Sequence, residues 1–82
     1  MLLEINITYC AVWHYTPRAV SLAADILKDL EAETKSITLI PSDAGRFEVE
    51  VNNFLVYSKQ KTGRHAEPGE ALNLIKEHIK KR

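Results

Sequence analysis

Residues 3–9 alternate without a break: Leu3, Ile5, Ile7 and Tyr9 fall on one side, and Glu4, Asn6 and Thr8 on the other. A period of two with one polar side describes a strand that buries one face and wets the other. The pattern returns at Arg46–Val51, where Phe47, Val49 and Val51 oppose Arg46, Glu48 and Glu50. Asn52-Asn53 comes next, two residues that tolerate the positive φ of a hairpin turn, and the chain returns through Phe54–Lys59. An unbroken register sets Val51 opposite Phe54, Val49 opposite Val56 and Glu48 opposite Tyr57. Leu55 and Tyr57 then form a small apolar spot on the wet face. A shorter strand at Ser36–Ile40 is closed by the turn-forming run Pro41-Ser42-Asp43-Ala44-Gly45.

Two segments have helical spacing instead. Thr16-Pro17 reads as a helix start, with Thr16 as N-cap and Pro17 at the first helical position. Val20, Ala23, Ala24, Leu27 and Leu30 then form an apolar stripe, with Arg18, Ser21, Asp25 and Lys28 on the wet side, to about Glu33. After a polar loop over Lys59–Glu67, Pro68 opens a last helix with Leu72, Ile75 and Ile79 inward. His78 lies beside that stripe, and Lys76, Lys80, Lys81 and Arg82 sit where cations favour the helix dipole.

The order β-α-β-β-β-α, with one polar face on most strands, implies an α/β (α+β) two-layer sandwich. Its four-stranded mixed sheet is covered by helices on one face, in a single domain over residues 1–82. A right-handed crossover makes the first two strands parallel. With the third strand antiparallel beside the first, the segments Cys10–Tyr15, Pro41–Gly45 and Lys59–Glu67 gather at one sheet edge.

Composition narrows the chemistry. Eleven Lys and Arg balance eleven Asp and Glu, so no cationic surplus is available to displace counterions from a nucleic acid. One Cys and three His exclude an internal disulfide and a structural zinc cluster, and no metal or bound cofactor is expected. The start Met1-Leu2-Leu3-Glu4-Ile5-Asn6 has no basic leader, and no apolar run reaches the ~20 residues of a membrane span. The expectation is a cytoplasmic protein with no membrane partner.

A Cys immediately after a strand and before a helix stands where thioredoxin-like proteins keep their attacking thiol. The run Ile7-Thr8-Tyr9-Cys10-Ala11-Val12-Trp13-His14-Tyr15-Thr16-Pro17-Arg18-Ala19 resembles the Tyr-Cys-x-x-Cys/Sec segment of the selenoprotein T/W/H (Rdx) family, selenoprotein W in particular. Gly45-Arg46-Phe47-Glu48-Val49-Glu50-Val51 is similar to that family's Gly-x-Phe-Glu-Val stretch. Leu55-Val56-Tyr57-Ser58-Lys59 and Gly63 resemble the family's Ser-Lys/Arg-Lys end. The resemblance implies a thioredoxin-like fold and a thiol redox activity, with Cys10 exchanging with glutathione or protein thiols. Glutathione would be a co-substrate rather than a bound cofactor.

Three positions depart from the family. The second redox position, Cys or selenocysteine, is Trp13; Asn52-Asn53 replaces a turn glycine; and His65-Ala66 replaces Phe-Pro, which leaves the loop's aromatic anchor open. Trp13 has two readings. Selenocysteine is encoded by UGA, one base from the tryptophan codon UGG, so Trp13 stands either for a selenocysteine or for a native Trp packed over its loop. As written, only a monothiol cycle on Cys10 is open. His14, next to the motif, is a candidate proton shuttle, the alternative being a solvated loop residue. Lys59, Lys61, Arg64 and His65 share the thiol's sheet edge and are candidates to favour its thiolate or to hold the carboxylates of glutathione. The alternative from another class is a redox-inactive module that keeps the fold and binds a protein partner.

Overall fold

The computed structural model describes residues 2–80. Strands β1 (Leu3–Cys10), β2 (Thr34–Ser42), β3 (Phe47–Val51) and β4 (Phe54–Ser58) alternate with helices α1 (Thr16–Leu30), α2 (Lys59–Thr62) and α3 (Glu70–Lys80). The sheet order is β2-β1-β3-β4, with β1 parallel to β2 and antiparallel to β3, and β3 antiparallel to β4. This is the expected mixed sheet, and β2 extends beyond the expected Ser36–Ile40 at both ends. Lys81 and Arg82, expected to favour the dipole of the last helix, lie outside the described residues.

The core follows the period of β1. Leu3, Ile5, Ile7 and Tyr9 are buried, and they meet Phe47, Val49 and Val51 of β3 under Ala19, Leu22, Ile26 and Leu30 of α1 and Ala71 and Ile75 of α3. Burying a side chain of this size contributes about 1.5–3 kcal/mol, so these few residues supply most of the driving force in so short a chain.

The stripe of α1 is rotated from expectation. Ala19, Leu22, Ile26 and Leu30 face inward, Ala23 is half-buried, and Val20, Ala24 and Leu27 are exposed. The helix carries apolar residues on two faces; the one with Leu22 and Ile26 brings the larger side chains to the sheet, with Ala19 at a fully buried position. Its start also differs. Tyr15 is the N-cap residue and makes no side-chain cap, so Thr16 is already helical and Pro17 lies in the first turn. There the missing N–H of Pro17 has no helical partner to lose.

The hairpin keeps its turn and changes its register. Asn52 and Asn53 adopt φ of 49° and 71°, and Val51 pairs with Phe54 as expected. A bulge at Val49/Glu50 then sets Val49 opposite Tyr57 and Glu48 opposite Ser58, leaving Val56 as the extra residue. One extra residue reverses the facing of the rest of the strand. Tyr57 therefore enters the core and is no part of an exposed apolar spot. Its hydroxyl donates to the Arg64 carbonyl and lies 3.1 Å from Thr62 Oγ1. Ser58 now faces Glu48 and donates to its carboxylate at 2.6 Å.

The expected polar loop at Lys59–Glu67 begins as α2, capped by Ser58 Oγ accepting the Lys61 N–H and closed by Gly63 at φ 75°. The last helix starts at Glu70, two residues beyond Pro68.

Asn52 also ties the turn to the start of β1. Its Oδ1 accepts the Glu4 N–H at 2.9 Å, and its own N–H donates to the Glu4 carbonyl at 2.9 Å. Asn52→Gly keeps the positive φ and loses the Oδ1 bond, so it should cost about 1 kcal/mol. Asn53→Gly, which loses no side-chain bond, should stay within about 0.5 kcal/mol of the parent. Urea denaturation midpoints at unchanged slope measure both.

Candidate functional site

The parallel pairing of β1 with β2 and the return of β4 bring three chain segments to the C-terminal edge of β1. Cys10 is the last residue of the strand and not part of the loop. Its N–H donates to the Arg46 carbonyl at 2.8 Å, and its carbonyl accepts the Tyr15 N–H at 3.0 Å. Ala11 N–H reaches the Ser42 carbonyl at 3.0 Å, and His14 N–H closes back on Ala11 at 3.1 Å. His14 takes φ 60° at the end of this tight turn and is exposed.

The expectation of an accessible thiol is not met. By strand parity Cys10 belongs with the wet residues Glu4, Asn6 and Thr8, yet it is 0% exposed. The segment 11–14 curls back, and the Trp13 N–H donates to Cys10 Sγ at 3.2 Å. Trp13 thus contacts Cys10 through its backbone. The Trp13 side chain leaves the sulfur and lies over Gly45, where an added Cβ would meet the indole Cζ3 at 2.5 Å. Trp13 is 57% exposed and Val12 67%.

Tyr15 joins the loop to the rest of the edge. Its ring meets Trp13 edge-on at 6.2 Å between centroids and His65 edge-on at 4.5 Å, and Lys59 Nζ stands 5.7 Å from its centre. His65 thus supplies an aromatic contact for this loop. Burial, with help from the charges of Arg18 and Lys59, lowers its pKa below the usual histidine value.

The remaining candidates diverge. Arg64 forks onto Glu70 at 2.7 and 2.8 Å and also donates to the His65 carbonyl at 3.0 Å, so its guanidinium is committed to the start of α3. Lys61 is exposed and lines a hollow with Leu55, Leu74 and Glu70. His78 stacks on Phe54 at 4.4 Å, a structural contact as its sequence position suggested. Of the five binding candidates, Lys59 and His65 alone are drawn together on Tyr15. Sequence reasoning missed Tyr15 itself, whose signal was an aromatic ring immediately before the Thr16-Pro17 helix start.

The Arg64–Glu70 pair makes a pH prediction. Arg64, joined by the Glu67 N–H at 2.8 Å, lowers the Glu70 carboxyl from 4.5 to about 2. Its stabilisation is therefore complete above about pH 4.5 and is lost as pH falls toward about 2. Glu70→Gln should flatten that segment of the acid-unfolding curve while lowering stability at neutral pH, as read by circular dichroism melts across the range.

A one-sided β-α-β-β-β-α sandwich whose first strand ends in a thiol beneath a turn defines the thioredoxin-like class. The model of the Rdx family matches residues 4–77, and the chain belongs to that family. Among solved structures it is similar to a selenoprotein W-related protein from Vibrio cholerae, at TM-score 0.89 and 23% identity over 96% of this chain and 99% of that one. A protein from Bordetella parapertussis gives 0.88 and 22% over 95% and 99%. Both likenesses are of fold. A comparison with curated proteins gives no match. Among the described residues no helix is long and apolar enough to cross a membrane.

Proposed function

We propose that the chain is a monothiol redox protein of the selenoprotein W type, working through Cys10. The observation that carries this reading is the Trp13 N–H donated to Cys10 Sγ at 3.2 Å, at the family's attacking position. In the cycle, the Cys10 thiolate attacks the glutathione sulfur of a protein–glutathione mixed disulfide. That disulfide breaks, a Cys10–glutathione disulfide forms, and the protein thiolate leaves. A glutathione thiolate then attacks the adduct, releasing glutathione disulfide and restoring Cys10. A reducing cytoplasm suits such a cycle. Because Cys10 is covered, attack requires the 11–14 turn to lift, which breaks the Trp13 bond and exposes the sulfur.

The burial of Cys10 favours a second reading, a redox-inactive binding module that presents Val12 and Trp13 to a protein partner. Intact mass after incubation with glutathione disulfide separates the two. The redox reading expects one glutathione adduct on the native protein, absent in Cys10→Ser, forming faster than global unfolding allows. An adduct that forms no faster than the protein unfolds would leave the binding module.

Trp13 is in this reading a native residue, supported by the seat of its indole on Gly45. The gene should carry UGG at this codon. A UGA codon would replace the monothiol scheme with a thiol/selenol one.

A further inference from the structure

Between α1 and the segment that leads into α3 lies a cleft of about 340 Å³. Arg18, Leu22 and Asp25 line its α1 wall, Phe47 its floor, and His65 and Leu72 the facing side. Its size falls at the lower end of small-molecule sites, about 300–1,000 Å³. Leu22 and Phe47, both buried, give the cleft an apolar part, and Arg18, Ser21 and Asp25 add polar groups along its α1 wall.

The charges are arranged along the helix. Arg18 and Asp25 are seven residues apart on one face, which a rise of 1.5 Å per residue converts to about 10 Å. Neither has an ion-pair partner among the described residues, in contrast to Arg64 and Glu70. An extended chain advances about 3.3–3.6 Å per residue, so three residues span that same distance.

We propose that this cleft binds a free zwitterionic peptide about three residues long, its carboxylate at Arg18 and His65 and its ammonium at Asp25. An apolar C-terminal side chain would cover Leu22, Phe47 and Leu72. Glu67, also on the cleft wall, adds a second carboxylate, so the site tolerates an extra cation on the peptide better than an extra anion. No atom of Cys10 takes part, so the site stands or falls independently of the thiol chemistry.

The groups facing His65 are Arg18 from α1, Lys59 from α2 and the Tyr15 ring, and Glu67, two residues on, shares its wall of the cleft. In the free protein burial and the two cations lower the pKa of the imidazole. A bound carboxylate favours its protonated form, so binding must raise its titration midpoint.

The test uses the full chain and the peptide Ala-Ala-Leu, followed by NMR. Saturable binding is expected, with an upward shift of the His65 midpoint. C-terminal amidation and Arg18→Gln should each weaken binding about 10-fold, as loss of one charged hydrogen bond does. Applied together they should weaken it little further, since both remove the same contact. N-acetylation and Asp25→Asn should behave as a second such pair. Both substitutions are at exposed positions and should leave the fold intact. Absence of saturation up to about 10 mM overturns the proposal, as does binding indifferent to both blocked termini.

Discussion

Trp13→Cys should convert a protein that stops at a glutathione adduct into one that closes its own disulfide. The Trp13 nitrogen is 3.2 Å from Cys10 Sγ, so the α-carbon of residue 13 lies within about 4.7 Å of that sulfur. A side-chain sulfur placed there has Cys10 within reach of an ordinary rotamer. Incubation with glutathione disulfide should leave wild type carrying one glutathione, and the variant carrying none while lacking two hydrogens. In the variant the thiolate of residue 13 attacks the Cys10 sulfur of the adduct and expels glutathione. Because that thiol is intramolecular, the adduct should resolve at least about 10²-fold faster than with millimolar external thiol. Trp13→Ala controls for the loss of the indole and should keep the adduct. A stable adduct on Trp13→Cys, with both sulfurs unbridged, would mean that the turn does not bring position 13 to Cys10.

The stoichiometry of that experiment was open to sequence reasoning; the state of the thiol was not. Alternation in residues 3–9 and 46–51, with Asn52-Asn53 between the last two strands, was enough to give the one-sided sheet, and the strand order followed from the family resemblance. Cys10 read as the first residue of a loop without a period. It is buried by the return of the 11–14 turn, a tertiary event with no period to read. The hairpin failed for a related reason. Val56 is as good a strand residue as its neighbours, and nothing local marks it as the residue that bulges and sends Tyr57 inward. In α1 the difficulty was surplus: Val20, Ala24 and Leu27 form as regular a stripe as Ala19, Leu22 and Ile26, and only the sheet beneath chooses.

The candidate site divides in the same way. His65 lost its family identity and kept its place, because an imidazole edge fills against Tyr15 the role of a phenyl ring. Arg64 looked equally suited by charge and position. Its commitment to Glu70 depends on how the chain turns between Gly63 and Glu70, which residue types alone do not fix.

Gly45→Ala should be among the most damaging single-methyl changes in the molecule. Gly45 is buried at φ 69°, where an L side chain costs about 1–2 kcal/mol. Its new Cβ would also lie 2.5 Å from the Trp13 indole, and overpacking of this kind costs about 1–3 kcal/mol. The combined loss, about 2–5 kcal/mol, should lower Tm by at least about 10 °C in a domain of this size. The indole is more than half exposed, so part of the strain is relieved if it swings away, at the expense of the turn that covers Cys10. Trp13→Ala should therefore rescue part of the defect. Alone it removes one partly exposed ring and should cost about 1 kcal/mol or less. In Gly45→Ala it removes the clash and leaves only the backbone strain, so the double variant should melt above the Gly45→Ala single. A coupling of about 1–3 kcal/mol in that direction is expected from a double-mutant cycle in urea. Simple addition of the two single costs would show that the indole does not rest on Gly45. In that case the faster alkylation of Cys10 expected in Gly45→Ala, from a displaced turn, should also fail to appear.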